Sequence, residues 1–297
     1  MEFCGLGRVT EVDVESRNPL VRARMQGWLT ALDQRKDAVL SRLSARLAVG
    51  APGEQVAARL LMSDPEGAAL VAGRSRDAAA YRLALLGCGL SETTPNCRAL
   101  TVQGWAQLDP DDARPWMRLM SGAMARRDEA AALEALEQVL QRHKLSPTRA
   151  LLGAVMPAYA GSDDPEGLGL ATVDIIGREA AILGADSLGF SRYCTAEGVK
   201  DASRRERCER MARWQFKHAD SVLDAEIALG IADRVGLPAE QRPFTREQLT
   251  RGREKLFDET LRTSGYDCAS LARVAGWPAQ FGQRSELQMT LQAAAER

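Results

Sequence analysis

Residues 108–141 read LDPDDARPWMRLMSGAMARRDEAAALEALEQVLQ. Asp109 and Pro110 make one break and Arg127 with Asp128 makes another, so the stretch divides into two helices joined by a tight turn. Trp116, Leu119 and Ala123 share one face of the first helix; Ala132, Leu133, Leu136 and Leu140 lie on the second. Ala132 is small enough to let the helices approach. A pair of this size cannot bury its apolar face alone, so its neighbours must supply the rest of a core.

The flanks carry the same periodicity. Apolar positions predict one or two helices over 19–49, then helices over 54–62, 64–72 (Asp64 and Pro65 opening it) and 75–90, with Ala79, Leu83, Leu86 and Leu90 on one stripe. Asn96 is read as the cap of a helix to 107, and Ser146-Pro147 as the start of one to 159. Asp163, Asp164 and Pro165 open a helix to 183, which Gly167, Gly169 and Gly177 weaken. Further helices are expected over 187–199, 201–219, 221–235, 245–262, 268–275 and 283–297, with a turn at 265–267 and an interruption at Trp277-Pro278. Val12 and Val14 suggest an extended lead-in. The best boundary is 161–164, which separates a region 1–160 from a region 161–297 packed continuously with it. The expected fold class is all-α, built of antiparallel helix pairs.

Composition agrees. Ala, Leu, Arg and Glu dominate, aromatics are 5% and 45% of the 297 residues are hydrophobic. The 39 basic and 40 acidic residues leave a net charge of −1, which provides no positive field for nucleic acid or an anionic membrane surface. No apolar run approaches the roughly 18 residues of a membrane span. The first residues lack the features of a signal peptide, so the chain reads as cytoplasmic or as one whose export signal is missing.

The cysteines tilt toward export. Short breaks between helices lie within Cys88…Cys97 and Cys194…Cys208, a spacing that allows Cα atoms to come within disulfide range. These are the candidate disulfides; whether Cys4 and Cys268 pair is left open. At least one disulfide points to an oxidising compartment such as the periplasm, or to secretion.

Residues 108–141 resemble a tetratricopeptide repeat, a helix–turn–helix of 34 residues. The likeness rests on Asp109 and Pro110 at the junction, Trp116 and Leu119, Asp128 in the turn, then Ala132, Leu133, Leu136 and Leu140. Met120 stands where the family prefers Gly or Ala, Ala123 where an aromatic is usual, and Arg127 where Gly helps the turn. One repeat earlier, Tyr81 and Leu85 fall near the positions of Trp116 and Leu119. The chain as a whole loosely resembles secreted or periplasmic bacterial helical proteins with such a repeat. The resemblance implies helix pairs stacked as an α-solenoid, with a concave surface that binds a peptide or protein segment.

Sites of chemistry are sparse. Asp109, Asp111 and Asp112 lack the Gly and Glu of a calcium loop, and read as a capping turn. His143 and His218 are the only histidines, and Cys208 with His218 has no accompanying zinc motif. GLGRVT at 5–10 and GLGLAT at 167–172 do not complete a dinucleotide fingerprint. Arg210, Arg213 and Lys217 form a basic face opposite Cys208, Met211 and Ala212, a candidate partner surface. Trp28, Trp105, Trp116, Trp214 and Trp277 read as core anchors. No catalytic, cofactor-binding or metal-ligating residue is assigned. The expectation is a non-enzymatic protein that recognises a protein or peptide partner, as an inhibitor, an immunity protein or an envelope adaptor. The alternative is an all-α enzyme with carboxylates converging in a pocket.

Overall fold

The computed structural model describes residues 2–8, 18–89, 94–160, 162–183, 186–258, 265–281 and 284–296. They are mostly helical, with only three two-residue strands, so the all-α class holds. Val12, Val14 and Leu90 fall outside the described residues.

Helix α1 is a single helix, Pro19–Leu47, capped by the Asn18 side chain. Its second half joins α2 (Pro52–Leu61), α3 (Pro65–Arg74) and α4 (Ala78–Cys88) around one apolar cluster that includes the fully buried Trp105. The helix expected over 96–107 is instead two short ones, α5 (Pro95–Ala99) and α6 (Val102–Leu108). Leu100 is extended between them because the Tyr81 hydroxyl accepts the Thr101 N–H at 2.9 Å, while the Thr101 side chain recaps the chain.

Helices α7 (Arg114–Ala125) and α8 (Glu129–Leu140) form the pair expected over 108–141. The buried stripe is rotated from the expected one. Ala113, Met117, Met120 and Ala123 meet Ala132, Ala135, Leu136 and Val139, whereas Trp116 and Leu119 are only half-buried at its edge. Met120 takes the space that a small residue would leave. Arg127 turns the chain in the left-handed region, φ 60°, which a Gly adopts without cost.

A short α9 (Ala150–Val155) runs into a 3₁₀ turn, Met156–Tyr159. It starts three residues later than Ser146-Pro147 suggested, because carboxylates of Asp112 and Asp220 take the N–H groups of Ser146 and Thr148, which stay outside the helix. Helix α10 (Pro165–Leu183) packs on α1 and on a later helix; α11 stops early, at Leu188–Tyr193. Then come α12 (Ala202–His218), α13 (Val222–Val235) and α14 (Arg246–Arg253), the last widening into a π turn, Glu254–Asp258. The end of the helix expected over 245–262 lies outside the described residues. Helices α15 (Cys268–Ala275), α16 (Trp277–Phe281) and α17 (Glu286–Ala295) close the chain. Trp277-Pro278 starts α16 rather than interrupting a helix; Pro is tolerated in a first turn, where its missing N–H has no intrahelical partner anyway. Helices α7, α8, α11, α12 and α13 share a second apolar cluster.

Three two-residue strands form a small sheet in the order β2 (Gly7–Arg8), β1 (Glu2–Phe3), β3 (Gly265–Tyr266), with β1 parallel to β3. Three disulfides join Cys88 to Cys97, Cys194 to Cys208 and Cys4 to Cys268, the last across 264 residues. They suit an oxidising compartment. Among the described residues, no helix is long and apolar enough to cross a membrane.

Gly169 explains its own presence in α10. A Cβ there would stand 2.1 Å from the Leu271 carbonyl oxygen of α15, so the near-miss glycine motif at 167–172 is a helix-crossing device. Gly169→Ala is expected to lower stability by about 1–3 kcal/mol, measured by denaturant unfolding. Arg127→Gly is expected to raise it by roughly 0.5–1 kcal/mol, because it relieves the left-handed backbone; an unchanged or lower midpoint would refute that.

Candidate functional site: a mixed-charge cleft

The helix starts converge on buried charge. Asp112, fully buried before α7, accepts from the N–H groups of Arg114 (3.1 Å) and Ser146 (3.0 Å) and from the Ser146 hydroxyl (2.5 Å). Arg114, 3% exposed, donates to the Ser146 carbonyl (2.6 Å), the Thr148 hydroxyl (2.9 Å) and Asp220 (2.8 Å). Asp220 also accepts from the Thr148 N–H and hydroxyl. Four residues on, in the first turn of α13, Asp224 accepts from the Ser187 hydroxyl through Oδ1. Its Oδ2 lies 4.0 Å from Arg114 and has no hydrogen-bond partner among the described residues.

A second set adjoins the first. Glu179 of α10 caps α9, accepting from the N–H groups of Leu151 (2.6 Å) and Leu152 (3.1 Å). Arg149 bridges Glu286 (3.2 Å) at the start of α17 and Glu179 (3.9 Å). Arg118 pairs with the buried Asp186 at 3.3 Å. Arg82 of α4, 6% exposed, has Nε and one terminal nitrogen without a hydrogen-bond partner among the described residues. Asp112, Glu179, Asp186, Asp220, Asp224 and Glu286 thus meet four guanidinium groups, those of Arg82, Arg114, Arg118 and Arg149, a formal excess of two negative charges.

Burial governs the electrostatics. It pushes Glu179 up to about 7 against the pull of the capping N–H groups and Arg149, and it raises Asp186, Asp224 and Glu286. It pulls Arg82 down to about 10, helped by the like charge of Arg114. Burial also acts on Arg114, but Asp220, Asp224, Asp186 and Asp112 outweigh it and raise that group.

Two chambers open on this network. The smaller, about 190 Å³, is lined by Arg114, Thr148, Arg149, Ala180, Ser187, Ser221, Leu223, Asp224 and Glu286. The larger, about 440 Å³, shares Thr148, Arg149 and Glu286 and adds Asp220, Pro147 and Arg284. A separate groove of about 520 Å³ between α2 and α3 is lined by Leu70, Val71, Arg59 and Arg74 among others, with Arg59 paired to Asp64 at 3.2 Å.

The residues singled out in the sequence lie elsewhere. Arg210, Arg213 and Lys217 are exposed on α12; Arg210 pairs with Glu137 (3.4 Å) and Arg213 with Glu209 (2.8 Å). The Cys208 sulfur is bonded to Cys194, and His218 stacks on Trp214 at 4.7 Å, so these two do not form a zinc pair. Asp109 pairs with Lys144, and Asp112 does more than cap: it ties α7 to 144–146. Among the described residues, the one group with metal-ligand proximity is Cys4, Glu166 and Cys268. Two of its sulfurs form a disulfide and Glu166 pairs with Arg35 at 3.0 Å. Sequence reasoning missed the cleft. Its signals were single charges inside apolar runs: Arg82 in AAAYRLALLG, Glu179 in DIIGREAAIL and Asp224 in SVLDAEIALG.

No protein-family model, curated protein or solved structure matches the chain.

Glu179 makes the network testable. Between its ordinary 4.5 and about 7 the folded state holds a proton that the unfolded chain releases, so stability falls as pH rises through that window. The expected loss is on the order of 3 kcal/mol. Glu179→Gln keeps an acceptor for the Leu151 and Leu152 N–H groups and is expected to flatten that slope. Urea unfolding of both proteins from pH 5 to pH 8 checks it; parallel slopes would show that Glu179 is not buried as a neutral acid.

Proposed function

We propose that the protein is a non-enzymatic recognition protein of an oxidising compartment, periplasmic or secreted, that binds a protein or peptide partner through the mixed-charge cleft. The observation that carries this reading is the pair of chambers sharing Thr148, Arg149 and Glu286, where an apolar wall at Leu223 faces charged groups held by helix starts. Pockets with a few convergent polar groups and perturbed acids are the common form of binding sites. The groove between α2 and α3 has no comparably buried polar group. We read the helix pair α7–α8 as the tetratricopeptide-like repeat, and Arg114 at its start as that pair's contribution to the cleft. Stacking of further helix pairs into a solenoid belongs to the same proposal, as do the inhibitor, immunity and adaptor roles.

A second reading, an all-α enzyme with carboxylate chemistry, draws on Asp224 and Glu286, two acids raised by burial on the wall of one chamber. It requires one of them to give or take a proton on a bound substrate.

The test is affinity capture from the organism that encodes the chain, with the wild type and Leu223→Trp as baits. Leu223 is 45% exposed and lines the smaller chamber, so Trp there narrows the cleft while every charged residue is kept. A near-stoichiometric partner is expected with the wild type and at least tenfold less with the variant. Equal recovery by both baits would reject the cleft as the binding site.

A further inference from the structure

The groove between α2 and α3 differs from the cleft in carrying charge of one sign. The two helices are joined by three residues, 62–64, and pack side by side, so they run antiparallel. Gln55 and Arg59 share a face of α2; Gly67, Leu70, Val71 and Arg74 share a face of α3, and these faces form the walls. Arg59 therefore lies at the end near the connection and Arg74 at the far end, with Leu70 and Val71 between them. The rise from Gly67 to Arg74 sets those ends about 10 Å apart. Among the described residues that line the groove none is acidic. Arg74 is exposed and makes no hydrogen bond or ion pair among the described residues. Arg59 gives Nη1 to Asp64 at 3.2 Å, while its Nε and Nη2 have no partner among the described residues. The nearby carboxylates serve helix starts instead. Glu54 accepts from the Ala51 N–H (3.0 Å), Asp64 from Gly67 (2.8 Å) and Asp77 from Ala79 (2.8 Å) and Ala80 (2.9 Å), and Glu66 accepts from the Asn96 side chain (2.6 Å). Helix-start N–H groups offset the negative charge they hold. Leu70 is 39% exposed and Val71 half-buried, an apolar floor between two cations. The volume of about 520 Å³ lies within the roughly 300–1,000 Å³ of ligand sites.

We propose that this groove is a second docking site, for an extended acidic peptide segment in which two carboxylate side chains flank an aliphatic one at alternate positions. In an extended chain residues i, i+2 and i+4 lie on one face, and the outer two stand roughly 13 Å apart, a span that long arginine side chains bridge. The carboxylates meet Arg59 and Arg74, and the aliphatic side chain covers Leu70 and Val71. Charge complementarity selects the acids, and removal of Leu70 from water selects the aliphatic residue. The site is independent of the mixed-charge cleft, whose lining carries both signs.

Fluorescence anisotropy of a dye-labelled Glu-Ser-Leu-Ser-Glu peptide, with its C-terminus amidated, tests the groove on the full chain. A Kd of roughly 1 mM or tighter is expected at low salt, weakening as salt is added. The peptides with Gln for both Glu, or with Ser for Leu, should bind about tenfold more weakly or not at all. Arg74→Gln should weaken the parent peptide by about tenfold with Tm unchanged, since Arg74 is exposed and unpaired; Leu70→Ser is the second variant. Leu223→Trp, which alters the cleft, should bind the peptide as the wild type does. Absence of binding at about 1 mM, equal binding of the Gln or Ser peptide, or binding unmoved by both Arg74→Gln and Leu70→Ser would overturn the proposal. Loss of binding in Leu223→Trp alone would place the peptide in the cleft, so the groove site falls and the cleft reading stands. Peptide binding in the groove with capture insensitive to Leu223→Trp would do the reverse. Sedimentation velocity is expected to be the same for the wild type and Arg74→Gln; a wild-type dimer that Arg74→Gln dissociates would assign the groove to a second copy of the chain and reject the peptide.

Discussion

The guanidinium of Arg114 is the constraint on which the arrangement of this molecule depends. It sits at the first residue of α7, yet its donors bind the segment before α9 and Asp220, two residues before α13. Three stretches far apart in sequence are thereby held at one point. The carboxylates around it are placed by the same logic, each at the beginning of a helix: Asp112 before α7, Glu179 on the first N–H groups of α9, Asp224 in the first turn of α13, Glu286 opening α17. Unpaired N–H groups at a helix start favour negative charge, so burial there costs less than burial elsewhere.

Stability alone is a weak reason to keep such a network. Replacing buried ion pairs by packed apolar residues is often neutral or favourable, whereas removing one partner is strongly unfavourable. The apolar clusters on either side hold the helices without it, and the disulfides add to them. Closing the loop from Cys4 to Cys268 alone removes about 5 kcal/mol of chain entropy from the unfolded state in the loop-closure account. The network is therefore best understood as specification: it dictates where the second apolar cluster meets α9 and α17, and it leaves the chambers open at that seam.

How much of this was legible follows from the range over which each interaction acts. The cap residues Asp64, Asp128, Asp201 and Ser221 satisfy N–H groups three residues away, and their helices begin where the sequence places them. The pair α7–α8 was legible for the same reason, although its buried stripe was not, since partners on α11, α12 and α13 rotate it toward Met117 and Met120. The breaks at Leu100 and before Ala150 come from Tyr81, Asp112 and Asp220, contacts spanning 20, 34 and 72 residues. No local pattern encodes them. The cleft is the extreme case, because its walls come from several segments, and single charges inside apolar runs such as Arg82, Glu179 and Asp224 do not say which of them meet.

That dispersal also leaves the buried acids engaged to different degrees. Asp112 is fully engaged: both of its oxygens accept hydrogen bonds within the fold. Asp224 gives one oxygen to Ser187, while the other, buried 4.0 Å from Arg114, accepts no hydrogen bond among the described residues; one oxygen each of Glu179 and Asp186 is in the same position. Burial raises all three acids above their ordinary values, so the seam favours a proton where it supplies no donor.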